Sequence, residues 1–169
     1  MMPAMQRVCV MGVSGAGKTA VGTLLADALG VPFLEGDALH PPENVRRMAQ
    51  GIPLTDDDRR GWLRAIADRI ADARGTNRGL VVACSALKRA YRDVLRGADG
   101  ELRFVHLTGD AGVIRQRMGQ RTGHYMPASL FDSQLATLEV PGLDEHAWTF
   151  DVATPPPAIV AHIVERLAA

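Results

Sequence analysis

Residues Gly12 to Thr19 read Gly-Val-Ser-Gly-Ala-Gly-Lys-Thr and follow the apolar run Val8, Cys9, Val10, Met11. The fixed positions match G-x-x-x-x-G-K-[ST], a loop whose chemistry is the binding of phosphate. Gly12, Gly15 and Gly17 free the backbone so that N–H groups along the loop, through Val13, Ser14 and Ala16, can turn inward and cradle phosphate oxygens. The helix that follows, from about Gly17 to Leu29, aims its positive end at the same place. Lys18 can then reach the terminal phosphates of a nucleotide, and the Thr19 hydroxyl can ligate Mg²⁺.

Two carboxylates, Glu35 and Asp37, follow the short apolar stretch Val31 to Leu34. The C-terminal end of a strand is where open parallel sheets bind ligands. Near a Mg-nucleotide one carboxylate can hold the metal's water shell, and the other can accept a proton from an attacking hydroxyl. Gly36 frees the backbone at Asp37, which makes Asp37 the candidate base and Glu35 the residue on the metal side.

The basic residues are unevenly chosen: of 19, 17 are Arg, and the two lysines are Lys18 and Lys88. A compact, flexible point charge differs physically from a planar fork, so Lys88 becomes a second candidate for a functional cation. Arg59, in the crowded run Asp56, Asp57, Asp58, Arg59, Arg60, can face an anionic substrate, while the acidic residues there favour a helix N-terminus. Arg117 and Arg121 are four apart and share one helix face. They stand beside Thr122 to Pro127, a turn with few apolar anchors. Two stacked arginines beside such a turn suit a lid, over about residues 118–128, that closes on phosphates and excludes water.

The elements that must position these groups follow from periodicity. Strands are expected over Val8–Met11, Val31–Leu34, Leu80–Cys84, Leu102–Leu107 and Ala147–Val152, alternating with helices. The run Leu80 to Cys84 is apolar throughout, as in a strand buried on both faces. Pro42 suits the first turn of a helix to about Gln50, and Thr55 with Asp58 is a capping-box signature. Trp62, Leu63, Ile66, Ile70 and Ala73 then recur at helical spacing and read as a core stripe. Five strands alternating with helices predict an α/β fold, a parallel sheet with helices on both faces, in one domain over 1–169.

Composition narrows the class of partner. The 169 residues carry 19 basic and 19 acidic side chains, a formal net charge of zero, which gives no basic footprint for nucleic acid. Met1 to Arg7 does not read as a signal segment, and no apolar run approaches 18 residues, so a soluble, cytoplasmic protein without a membrane partner is expected. Cys9 and Cys84 read as buried, reduced thiols. The strand ending at Cys84 lacks the terminal Asp of large NTPases, and no N-K-x-D guanine signature occurs, which argues against a GTPase or a motor.

Beyond the phosphate loop, Glu-Gly-Asp-Ala-Leu-His-Pro, Pro-Leu-Thr-Asp-Asp-Asp-Arg with Trp62, Cys-Ser-Ala-Leu-Lys-Arg-Ala-Tyr-Arg-Asp and Gly-His-Tyr-Met occur in that order. Over about residues 7–152 the chain resembles the gluconate kinases, in the small-molecule branch of P-loop kinases that includes shikimate kinase. The resemblance implies a three-layer P-loop NTPase fold with a small lid, transfer of the γ-phosphoryl of Mg-ATP to the 6-hydroxyl of D-gluconate, and a homodimer. It implies Lys18, Asp37, Arg117 and Arg121 as the catalytic set, with Arg117 also on the nucleotide and the adenine near Ala153 to Pro155. Thr19 and Glu35 fall to the metal. His40, Arg59, Ser85, Lys88 and Arg92, with His124 and Gln134, would join Asp37 around gluconate. Two other readings stay open: a kinase for another hydroxy acid such as shikimate, although Cys84, Ser85, Ala86 stand where shikimate kinases carry a Gly triplet, and a non-catalytic ATP-binding regulatory domain.

Overall fold

A computed structural model describes residues 6–119 and 128–169. Five strands, β1 (Arg7–Met11), β2 (Phe33–Glu35), β3 (Leu80–Ala83), β4 (Arg103–Thr108) and β5 (Trp148–Asp151), form one sheet in the order β2-β3-β1-β4-β5. Every pairing is parallel. Successive strands are joined through helices: α1 (Lys18–Leu29), α2 (Pro42–Ala49), α3 (Asp56–Gly75), α4 (Arg89–Ala98), α5 (Ala111–Gly119), α6 (Ala128–Thr137) and α7 (Pro156–Ala168). This is the parallel α/β sheet expected from the alternation of apolar runs and helical stripes.

The central strands are sealed on both faces. Every residue of β1 and β3 is buried, and Trp62, Leu63, Ile66 and Ile70 of α3 are buried in the same core. The sequence places α3 firmly: the Thr55 hydroxyl accepts from the Asp58 N–H while the Asp58 carboxylate accepts from the Thr55 N–H, closing the capping box. Strand β2 starts later than the Val31 expected from the apolar run. The Val31 N–H is spent on the Ala26 carbonyl, finishing α1, and Pro32 has no N–H to give, so regular pairing opens at Phe33.

The order in the sheet places β1 in the middle, with β3 on one side and β4 on the other, so the loops leaving the C-terminal ends of β1, β2 and β3 converge. Two of the phosphate-loop glycines are needed sterically. A Cβ on Gly12 would lie 2.7 Å from the Leu107 carbonyl oxygen of β4, and one on Gly15, at φ +85°, would press on Ile114 and Met118 of α5. The loop is thus wedged between β4 and α5, and only glycine fits at those points.

Candidate active site

A cleft of about 280 Å³ opens above the C-terminal ends of β1, β2 and β3. Its polar lining is Ser14, Lys18, Asp37, His40, Arg59, Ser85, Ser133 and Gln134, with Trp62 beside them. Val45, Met48, Ala49, Pro53 and Leu54 make an apolar wall from α2 and the turn that follows it, and Leu87 and Leu130 add to the apolar lining. Phosphate-loop residues and the candidate base therefore share one cavity.

In the phosphate loop the Lys18 ammonium donates to the carbonyls of Gly12 and Val13, at 3.0 and 3.1 Å. It is anchored at the base of the loop on which phosphates would rest. The Ser14 N–H donates to Gln134 Oε1 at 2.7 Å, joining the loop to α6. The Thr19 hydroxyl donates to Glu35 Oε2 at 2.5 Å, so the two residues assigned to a metal lie against each other. Among the described residues no group of three His, Cys, Asp or Glu could hold a metal. One hydroxyl with one carboxylate fits Mg²⁺, which keeps most of its ligands as water and nucleotide phosphate.

Asp37 sits in the 3₁₀ turn Gly36–Leu39 with its carboxylate 62% exposed, open to the cleft. The turn is fixed from below, where the Trp62 indole donates to the Gly36 carbonyl at 2.7 Å and stacks on the His40 ring with centroids 4.2 Å apart. His40 Nδ1 lies 3.3 Å from the Asn44 amide nitrogen and Nε2 lies 3.9 Å from Asp37. With Nδ1 accepting from Asn44, the neutral ring carries its proton on Nε2, facing Asp37. Burial lowers the His40 pKa, Arg59 adds to that, and Asp37 opposes it, so the ring is neutral at pH 7.

Arg59 reaches the cleft from the first turn of α3 and donates to the Tyr91 hydroxyl at 2.8 Å, its guanidinium 5.4 Å from the centre of that ring. Tyr91 in turn donates to Asp56, which also holds Lys88 at 2.9 Å. Lys88 is thus paired at the flank of Arg59 and is not among the cleft-lining residues. Asp56 reads from sequence as a charge favouring the helix dipole; in the fold it is the acceptor that gathers Tyr91 and Lys88.

Arg92 departs furthest from expectation. Instead of lining the cleft it is fully buried, with Nε 2.6 Å from Glu145 Oε1 and Nη2 3.1 Å from Oε2. Nη1 donates to the carbonyls of Ala86, at 2.8 Å, and Leu87, at 3.3 Å. Ala86 has φ +46°, a left-handed conformation costly for a residue with a Cβ, and the guanidinium holds the turn that contains it. Burial raises the Glu145 pKa, but bonds from Arg92, Arg96 and the Gly142 N–H outweigh it and bring the value down to about 2. Arg92 is accordingly a brace for the turn that carries Ser85 and Lys88. The partner it satisfies lies 53 residues away in sequence, beyond the reach of local motif reading.

Arg117 is exposed in the last turn of α5 and lies apart from the cleft lining. Arg121, His124 and most of the expected lid fall outside the described residues. Trp62, legible only as part of a core stripe, and Ser133 and Asn44 are site components that sequence reasoning missed. For Trp62 a signal existed: an indole N–H requires a buried acceptor, and the nearby Gly36 carbonyl supplies it.

A family model described as "Shikimate kinase" matches residues 14–168. The "Gluconokinase" of Gluconobacter oxydans (strain 621H) is 56% identical over 136 residues, which are 80% of this chain and 76% of that protein. The "Thermoresistant gluconokinase" of Escherichia coli (strain K12) is 43% identical over 157 residues, 92% of this chain and 90% of that one. The crystal structure of a gluconokinase from Sinorhizobium meliloti 1021 superposes with a TM-score of 0.88 at 51% identity, covering 99% of this chain and 94% of that chain.

Proposed function

The chain belongs to the gluconokinase family of ATP-dependent kinases, and from that membership and the cleft we propose that it transfers the γ-phosphoryl of Mg-ATP to the 6-hydroxyl of D-gluconate, giving 6-phospho-D-gluconate and ADP. The observation that carries this reading is the meeting of Lys18 and Ser14 from the phosphate loop with Asp37, His40, Arg59 and Ser85 in one cavity.

The geometry supports the following roles. The loop amides between Gly12 and Thr19, other than those of Gly12, Ser14 and Ala16, which donate to Ser85, Gln134 and Val13, hold the triphosphate with the Lys18 ammonium, and Lys18 exchanges its loop carbonyls for phosphate oxygens. Thr19 and Glu35 would hold Mg²⁺, which would supply positive charge to offset that of the phosphates. Asp37 accepts the proton of the acceptor hydroxyl as the O–P bond forms, and its exposure to the cleft leaves it free to do so. His40, with its proton on Nε2 and its ring clamped on Trp62, offers a hydroxyl a neutral donor. With Arg92 committed to Glu145 and Lys88 to Asp56, the acceptor carboxylate falls to Arg59, whose fork suits bidentate recognition. Ser85 and Gln134 supply further polar contacts.

Arg117, with Arg121, would serve the lid, and His124 would join the gluconate pocket; Arg117 and the Ala153 to Pro155 loop would flank the adenine. We include in the proposal a single catalytic domain, a cytoplasmic homodimer and no nucleic-acid partner. Among the described residues no helix is long and apolar enough to cross a membrane. The test is coupled ADP release with Mg-ATP and, separately, D-gluconate, shikimate, glucose, glycerate or no acceptor. Stimulation by D-gluconate alone, with phosphate on its 6-position, is the expected result. Stimulation by shikimate alone would keep the kinase and replace its acceptor, whereas ATP binding without transfer to any of them would favour a regulatory domain.

A further inference from the structure

The phosphate loop and the turn after β3 that carries Ser85 and Lys88, the acceptor turn, are bonded where the Gly12 N–H donates to the Ser85 carbonyl at 3.3 Å. A single bond between two loops is a hinge; it fixes their separation at the root and leaves the angle between them free. A second connection closes the triangle. At one end the Ser14 N–H donates to Gln134 Oε1 of α6 at 2.7 Å. At the other, just beyond α6, the Glu139 N–H donates to the Leu87 carbonyl at 2.7 Å and Glu139 Oε1 accepts from the Arg89 N–H at 2.9 Å. The helical path continues between the two ends, since the Leu138 N–H donates to the Gln134 carbonyl at 2.9 Å. The four helical steps from Gln134 to Leu138 span about 6 Å. The helix just before that span is anchored by Phe131, fully buried, and the middle of the span by Leu135 and Leu138 packed on the core.

We propose that the segment from Gln134 to Glu139 is a strut that sets the distance and angle between the phosphate loop and the acceptor turn, and that Gln134 and Glu139 are positioning residues for phosphoryl transfer. The proposal rests on the kinase reading above. Transfer requires donor and acceptor atoms about 3–3.5 Å apart and in line, and a displacement of about 1 Å can lower the rate about 10²-fold. The phosphate loop carries one reactant and the turn of Ser85 helps to seat the other, so whatever fixes one loop against the other bears on that distance. Glu139 is exposed and does not line the cleft, which separates its action from direct contact with either substrate.

The two ends act in series, so cutting either one releases the strut. The test is a double-mutant cycle with Gln134→Ala, Glu139→Ala and both together, with Glu139→Gln as the conservative variant because it keeps the acceptor for the Arg89 N–H. We expect kcat to fall on the order of 10-fold in each single variant, within the ~10²-fold range for about 1 Å of misplacement. The double variant should be no slower than the slower single one, Glu139→Gln should be near parental, and KM for ATP should be unchanged throughout. Additive losses, or a loss confined to Gln134→Ala and expressed as a raised acceptor KM, would overturn the strut. Amide hydrogen exchange of the unliganded protein gives a readout that does not depend on the acceptor: Gln134→Ala should speed exchange in residues 85–89, and Glu139→Ala in residues 12–17. Exchange that changes only beside each substitution would overturn the proposal even in an active kinase. Coupled exchange in a protein inactive toward gluconate would support the strut and reject the acceptor.

Discussion

Glu145 offers a perturbation whose size follows from its surroundings. Its carboxylate is buried, takes two bonds from Arg92 and one each from Arg96 and the Gly142 N–H, and has a pKa of about 2 against an ordinary value of 4.5. A depressed carboxylate pKa adds stability that is fully present above about pH 4.5 and is lost as pH falls toward 2. The difference corresponds to about 3 kcal/mol. Glu145→Gln removes the charge and leaves the Arg92 guanidinium buried without its counter-ion, for which about 3–5 kcal/mol is usual. The variant should therefore be less stable than the parent by about 3 kcal/mol at pH 7, and the gap should narrow as pH falls from 5 to 3. Urea unfolding followed by the fluorescence of Trp62 and Trp148 at a series of pH values measures both curves. A variant as stable as the parent at pH 7, or a gap that stays constant down to pH 3, would refute the assignment of the ion pair as the brace of the Ala86 turn.

Further outcomes are expected at two sites. Asp37→Asn should lower kcat by about 10²- to 10⁴-fold, the usual weight of a general base, with KM for ATP little changed; steady-state kinetics showing near-parental turnover would remove Asp37 from the proton transfer. His106 is buried in β4 with no partner for either ring nitrogen among the described residues, and burial, followed by the charge of Arg92, lowers its pKa. The unfolded chain takes up that proton below about pH 6.5 while the folded chain resists it, so His106 costs stability as pH falls. His106→Leu should match or exceed parental stability at pH 7 and flatten the decline between pH 6.5 and 5, as measured by thermal melts. A steeper decline in the variant would show that the imidazole is satisfied after all.

What the sequence disclosed depended on range. The phosphate loop was legible because its chemistry is backbone chemistry within eight residues, and the α3 start because Thr55 and Asp58 complete their exchange three residues apart. Arg92 lies in a motif whose resemblance implies a substrate cation, yet its partner, Glu145, is distant in sequence, and no local pattern distinguishes a guanidinium facing a cavity from one facing a buried carboxylate. Trp62 shows the converse. Its place in a helical stripe correctly indicated burial, but the stripe runs on to the cleft floor, where burial and function coincide. Strand β2 was shifted because apolarity alone does not reveal that Val31 caps α1 and that Pro32 cannot donate.

The wall formed by Val45, Met48, Ala49, Pro53 and Leu54 lies in the same cleft as Asp37, His40, Arg59 and Ser85 and presents side chains without a donor or acceptor. A polyhydroxy acid seated there must turn carbon–hydrogen surface toward α2 and its hydroxyls toward the polar side. An epimer with one stereocentre inverted would point a hydroxyl at a surface unable to bond it. An unsatisfied buried hydroxyl costs about 1–3 kcal/mol, roughly 5- to 150-fold in relative specificity. Stereochemical discrimination can thus arise from the side of the cleft that offers nothing, and diastereomers would be told apart by a mute surface as much as by the residues that bind.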